Sequence, residues 1–253
     1  MNEADLLYEK KDHIAWITLN RETRRNALSM EMIDMFLRCL DDTEACSEVR
    51  VVCLTAAGDK AFCSGADLAG GDPIQGAKKY AELLKKMSNS SKPIVAKVHG
   101  HCMAGGMGLM LTCDIVYAAP HVKFGTPEVK VGLFPMMVTA LVVRNSIRKK
   151  AMEMLFTGNY LSAHEAEQMG LITRVYAADE LDAKVSETLS IIASRAPLAV
   201  SMGRRAVSAL DGKGLHESLD YLCEQLGVLA GTEDAVEGMS AFVEKRPPVW
   251  KGR

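Results

Sequence analysis

Apolar positions recur along the chain with three different spacings, and each spacing predicts a different element. In "LLYEKKDHIAWITLN" two strand-like runs flank a charged Lys-Lys-Asp turn, and the second alternates through Ile14, Trp16 and Thr18. This predicts a β-hairpin at the start. In "SMEMIDMFLRCLDDTEAC", Met30, Ile33, Leu37 and Leu40 fall at helical spacing behind a Ser29 cap, and Tyr80, Leu83, Leu84 and Met87 do the same further on. The stretches "VRVVCLTAAG", "KPIVAKVHG" and "CDIVYAAP" are continuously apolar and short, as strands buried on both faces are. Between the last two, the glycine-rich segment reads as a helix. "LSAHEAEQMGL" spaces Ser162 and Glu165 as a capping box, and residues 179–193, 197–208, 214–229 and 233–244 read as consecutive helices. Only the short "LITRVY" breaks that run with a strand signal.

Strands alternating with helices imply right-handed crossovers and a largely parallel sheet, so the fold class is α/β. The all-helical end places a boundary at Pro197, giving a core domain over residues 1–196 and a helical region over 197–253. There is no internal repeat and no low-complexity tract. With 48% apolar and 25% charged residues, the 253-residue chain has an ordinary globular composition. No apolar run reaches the roughly 18 residues that a membrane span needs, and "MNEADLLYEKKD" lacks the basic-then-apolar order of a signal peptide, so a cytoplasmic, non-membrane protein is expected. Thirty basic against thirty-two acidic residues argues against an electrostatic grip on nucleic acid. The seven cysteines are odd in number and lack CxxC spacing, and they read as reduced core residues with no metal site.

Chemistry is expected where strands hand over to helices. Two such places are rich in glycine: "AFCSGADL" at 61–68 and "HGHCMAGGMGL" at 99–109. A glycine within a helix costs up to about 1 kcal/mol relative to alanine, so Gly105, Gly106 and Gly108 need a reason. Close helix–strand packing is one. Another is that two loops, each with a free backbone N–H, are the parts of an oxyanion hole. A phosphate cradle is the third, but neither loop fits GxxxxGK[ST] or GxGxxG. Glu128, in the apolar context of "KFGTPEVKVGLFP", is a carboxylate placed to have a raised pKa, as a proton shuttle requires, or else an ordinary strand-edge group. Asp67 reads as a helix-start cap, His99 and His101 as lining without a third metal ligand, and Cys63 and Ser64 as residues with no histidine placed to activate them.

"NRETRRNALS", "KAFCSGADL", "VHGHCMAGGMGL", "CDIVYAAPHVKFGTPEVKVGLFP", "TGNYLSAHEAEQMGLITRV" and "FVEKRPPVW" stand in the order and spacing of the crotonase superfamily, the enoyl-CoA hydratases and isomerases, which the chain resembles over nearly its whole length. The resemblance implies a spiral of β-β-α turns with a helical C-terminal oligomerisation region, assembled as a homotrimer or a dimer of trimers. It implies an acyl-CoA substrate, with coenzyme A entering as part of that substrate and no separate cofactor. The thioester oxygen is then held by the N–H groups of Ala66 and Gly105, and Glu128 becomes the catalytic glutamate. Arg25, Ala27, Lys60 and Ala61 border the CoA, which Phe242 and Lys245 reach from a neighbouring subunit. Arg21 and Arg24 add basic charge to the same loop.

The two-glutamate hydratases of that family carry a further glutamate three residues beyond the oxyanion glycine, where this chain has Gly108. One glutamate leaves hydration of an enoyl-CoA, Δ3,Δ2-double-bond isomerisation and other enolate chemistry open, and an inactive scaffold is the remaining alternative. Glycine for glutamate also frees volume. The expectation is a roomy acyl pocket above Gly108, lined by Met103, Met107, Phe134, Met136 and Met137 and fit for a branched or cyclic group.

Overall fold

The computed structural model describes residues 4–67 and 72–253. The chain opens with β1 (Leu6–Lys11) and β2 (Ile14–Leu19), an antiparallel pair. The two-residue connection puts Asp12 and His13 both at positive φ, the geometry that matches the twist of the flanking strands. Helix α1 (Met30–Ala45) follows, its first turn capped by the Ser29 hydroxyl accepting from the Met32 N–H. Its buried face consists of Met32, Ile33, Phe36, Leu40 and Thr43.

A repeated β-β-α unit then builds the molecule. The first comprises β3 (Val51–Ala56), β4 (Ala61–Cys63) and α2 (Pro73–Ser88); the second β5 (Ile94–Val98), β6 (His101–Met103) and α3 (Gly105–Leu111); the third β7 (Ile115–Ala118), β8 (Lys123–Gly125) and α4 (Met136–Asn145). The first strand of each unit joins one sheet and the second joins another. The chain therefore winds as a spiral with two faces. The larger sheet has the order β1-β2-β3-β5-β7-β10, parallel from β2 onward, and the smaller has β4-β6-β8-β9, where β9 is Leu161–Ser162 and β10 is Arg174–Val175. Every residue of β3 is buried, which explains why that stretch shows no alternation.

The core runs between the sheets and helices through Phe36, Phe62, Phe124, Ile17, Leu54 and Met107, each worth on the order of 2 kcal/mol of burial. Helix α5 (Arg148–Thr157) leads to β9, and α6 (Ala163–Met169) starts with the expected capping box between Ser162 and Glu165. Helix α7 (Leu181–Ala193) lays Leu181, Val185 and Leu189 on the larger sheet. From Pro197 the chain is helical, as α8 (Pro197–Ser208), α9 (Leu215–Ala230) and α10 (Glu233–Glu244). Arg204 of α8 donates to the carbonyls of Met87, Ser88 and Ser90 at the end of α2 and pairs with Asp114, which fastens these helices to the spiral. Among the described residues, no helix is long and apolar enough to cross a membrane.

Candidate active site

The site grows from the smaller sheet. Strands β4, β6 and β8 are parallel, with Cys63 beside Cys102 and Met103 beside Gly125, so their carboxyl ends lie in a row. Ala66 stands three residues past β4, Gly105 two past β6 and Glu128 three past β8. Three segments far apart in sequence therefore end at one place.

The two glycine loops touch. A Cβ built on Gly65 would lie 2.7 Å from the Ala104 Cβ and 3.1 Å from the Gly105 nitrogen, and one built on Gly105 would lie 3.5 Å from the Ala66 nitrogen. No hydrogen bond from the Ala66 or Gly105 N–H is found among the described residues. Gly105 is the first residue of α3, so the positive end of that short helix stands behind its N–H. The residue before it, Ala104, has φ 51° and ψ −124°, a region that side-chain-bearing residues rarely occupy and that costs of order 1–3 kcal/mol. The Ala104 N–H donates to the Gly125 carbonyl at 2.9 Å, and the Met107 N–H donates to the Ala104 carbonyl at 2.9 Å. These bonds hold the turn that aims Gly105.

Helix α2 starts at Pro73 with Asp72 as its cap, its carboxylate accepting from the Ile74 N–H. The helix start expected directly after "GADL" falls on residues 68–71, which lie outside the described residues. Asp67 pairs with Arg21 at 3.0 Å, and Arg21 also reaches Asp5 and donates to the Ala27 carbonyl. Arg21 is thereby an internal brace rather than a free cation, whereas Arg24, Arg25 and Lys60 are exposed. Asn26, which the sequence reading passed over, is buried at positive φ and donates from its amide to the carbonyls of Ala57 and Ala61 while accepting from the Arg21 N–H. A short polar residue next to arginines carries little signal in a sequence. Only the fold shows that it ties the loop around Ala27 to the strand end that leads to Ala66. The Leu28 and Asp67 N–H groups complete that tie through the carbonyls of Gly65 and Leu28.

Glu128 sits in the one-and-a-half-turn 3-10 helix Pro127–Val131, half-buried, and its Oε2 is enclosed without a hydrogen-bond partner among the described residues. Burial raises its pKa from the ordinary carboxylate value. The Thr126 hydroxyl two residues earlier is also buried and unpartnered. Cys63 cannot act as a nucleophile at neutral pH, because burial pushes its thiol up to about 12. His99 and His101 serve as loop ties: His99 Nε2 contacts the Gly58 carbonyl at 2.6 Å, and His101 Nδ1 accepts from the Lys123 N–H. Among the described residues no group of three His, Cys, Asp or Glu could hold a metal ion.

The expected volume above Gly108 is filled. A Cβ there would lie 2.0 Å from the Tyr80 hydroxyl and 3.4 Å from Val138 of α4. Tyr80, on α2, donates that hydroxyl to the Gly105 carbonyl. Gly108 is therefore no pocket wall, and Met107 belongs to the core while Met136 faces outward. Met103, Phe134 and Met137 are half-buried and remain available as lining. Phe242 and Lys245 lie exposed at the end of α10.

Comparison with known proteins agrees over the whole chain. The family model described as enoyl-CoA hydratase/isomerase matches residues 9–253. A probable mitochondrial enoyl-CoA hydratase of Dictyostelium discoideum is 35% identical over 250 residues, 97% of this chain and 90% of that protein. A short-chain-enoyl-CoA hydratase of Clostridium acetobutylicum is 31% identical over 253 residues, 97% of each. The crystal structure of an enoyl-CoA hydratase from Bacillus anthracis has a TM-score of 0.94 and 31% identity, covering 99% of this chain and 100% of that one.

Proposed function

The chain belongs to the enoyl-CoA hydratase/isomerase family, and from that premise we propose that it is an enzyme that hydrates an enoyl-CoA thioester with Glu128 as its single acid–base group. One observation carries the reading: two N–H groups without partners among the described residues, at Ala66 and Gly105, meet at the strand ends where an enclosed carboxylate oxygen of Glu128 also lacks a partner among them. Adding water across a conjugated thioester places negative charge on the carbonyl oxygen, and two fixed dipoles aimed at that oxygen stabilise the enolate by several kcal/mol, roughly 3 kcal/mol per donor. The Glu128 carboxylate takes a proton from water as the water oxygen bonds to the β-carbon and the π electrons move to the thioester oxygen. The enolate then collapses, and the Glu128 acid returns that proton to the α-carbon. The raised pKa suits both halves, since a group that accepts and then donates works best near ambient pH.

The exposed Arg25 and Lys60, with the backbone of Ala27 and Ala61, stand beside the first loop as the border for the CoA phosphates and adenine. Phe242, 86% exposed, and Lys245 reach the CoA from a neighbouring subunit in this reading. The acyl group runs past Met103, Phe134 and Met137. Isomerisation between the α- and γ-carbons is the second reading, favoured by the absence of a second carboxylate at Gly108 and by Tyr80 filling that space. Incubation with crotonyl-CoA and with a 3-enoyl-CoA in deuterated water separates the two. Gain of one water with deuterium at the α-carbon supports hydration, and a shifted bond without water supports isomerisation. If both thioesters return unchanged, another enolate reaction or an inactive scaffold remains.

Assembly is the next expectation. Helix α9 buries none of its sixteen residues, and it presents Leu215, Leu219, Leu226 and Val228 beside Val236, Met239 and Val243 of α10. Apolar faces of that extent mark an interface. We expect light scattering to give three or six chain masses, and a Leu219→Glu/Leu226→Glu variant to fall to monomer while keeping its helical circular dichroism. A monodisperse monomer of the unaltered protein would overturn the assembly.

A further inference from the structure

We infer that Tyr80 is a positioning residue for the reaction: its hydroxyl clamps the strained turn that presents the Gly105 N–H, and it does so from the space that a side chain at position 108 would need. The inference rests on the enolate reading given above. Tyr80 comes from α2, an element outside both glycine loops, and it is the sole side chain found among the described residues to hydrogen-bond the backbone of the Ala104–Gly105 turn. The turn needs an outside hold. Ala104 occupies a costly backbone region, and such strain persists only where surrounding contacts over-determine it.

Three bonds do that here. The Ala104 N–H fixes the turn to β8, the Met107 N–H closes it on itself, and the Tyr80 hydroxyl pulls the Gly105 carbonyl towards α2. The last of these acts on the residue whose N–H is aimed at the thioester oxygen. Tyr80 is buried among Cys63, Cys102 and Glu128, and that burial holds its phenol well above the ordinary value, so it stays a donor throughout the working pH range. Gly108 is the other half of the arrangement. With the hydroxyl 2.0 Å from where its Cβ would stand, position 108 cannot take even alanine while this bond exists. The clamp and a second carboxylate at 108 are mutually exclusive, so a chain with Tyr80 here works with one glutamate.

Two variants reach the same bond from opposite sides. Tyr80→Phe deletes the hydroxyl and keeps the ring in its slot, and Gly108→Ala displaces the hydroxyl from the Gly105 carbonyl. A 2,4-dienoyl-CoA serves as the probe, because a conjugated thioester absorbs further to the red when its carbonyl is polarised by the two N–H donors. Loss of an oxyanion donor costs 10²–10³ in kcat, and loss of its support costs less, about tenfold. We expect both variants to lower kcat about tenfold with KM within about twofold, and to lose most of the red shift while still binding the probe. A purely structural tyrosine would lower the melting temperature and leave the red shift of the folded fraction unchanged. A full red shift and full kcat in Tyr80→Phe would overturn the clamp with the enolate reading intact. No red shift and no turnover in the unaltered protein would overturn that reading, and the clamp with it.

Discussion

Replacing Glu128 by glutamine lowers turnover of an enoyl-CoA by about 10³-fold or more and leaves the fold intact. General acid–base groups contribute about 10²–10⁴, and this chain offers no second carboxylate at position 108 to cover the loss. Glutamine keeps the size of the side chain but can neither take a proton from water nor return one to carbon. The stability effect has a definite sign. Burial raises the folded-state pKa of Glu128 above its ordinary 4.5, so the folded protein holds its proton where the unfolded chain has released it. Stability therefore falls as pH rises from the ordinary value through the raised one, and that penalty remains in full at neutral pH. Glutamine removes it. The melting temperature of Glu128→Gln should equal or exceed that of the unaltered protein at pH 7 and match it below about pH 4. In the unaltered enzyme, kcat/KM should rise with pH through an ionisation above 4.5, as the carboxylate that serves as base forms. Steady-state kinetics across pH 4–8 and scanning calorimetry of both proteins check these outcomes. Residual turnover within tenfold of the unaltered protein would remove Glu128 from the chemistry.

Much of the spiral was legible from the sequence because its long elements carry one dominant signal each. The strands Val51–Ala56 and Ile94–Val98 are unbroken apolar runs, and α8 and α10 begin and end where the periodicity places them. The smaller sheet was not legible. Its strands β4, β6 and β8 have three residues each, too few for any period to show, yet they set the row of strand ends on which the candidate site stands. Helices α4 and α5 also went unread. Within the site, the juxtaposition of the two glycine loops could be reasoned from their composition, whereas their supports could not. Tyr80 fits the helical period of α2 as any core residue would, and nothing along the chain says that its hydroxyl enters the space above Gly108. Removing a large side chain suggests a cavity only when no distant residue moves in. The same limit applies to Asp67, whose ion pair with Arg21, forty-six positions earlier, nothing in "GADL" announces.

Gly105→Ala and Gly106→Ala should both lose activity, but only Gly106→Ala should lose stability with it, although the residues are adjacent. At Gly106 a Cβ would lie 2.5 Å from the Cys63 carbonyl oxygen and 2.8 Å from the Cys63 Cβ. Those are backbone and fully buried atoms that cannot step aside. Helix α3 would have to move away from β4 by the better part of an ångström, and forced overpacking of this kind costs about 1–3 kcal/mol. The shift separates the Gly105 N–H from the Ala66 N–H, and a displacement of about 1 Å at a reacting centre costs about 10²-fold. Gly106→Ala therefore loses both stability and activity. At Gly105 the nearest atoms to a Cβ are the Gly65 Cα at 3.4 Å and the Ala66 nitrogen at 3.5 Å, which are ordinary contacts, and its φ is not positive. The protein accommodates alanine there without moving. What the methyl group meets is the substrate, because it stands over the Ala66 nitrogen, on the ground where the thioester oxygen would accept from that N–H. Gly105→Ala should thus keep its melting temperature and lose about 10²-fold or more in kcat/KM, together with the red shift of a bound dienoyl-CoA. Melting curves, kinetics and the bound spectrum of the two variants are sufficient to decide. A Gly105→Ala protein as active as the unaltered one would mean that no substrate oxygen comes to this N–H, and the glycine would then be explained by packing alone.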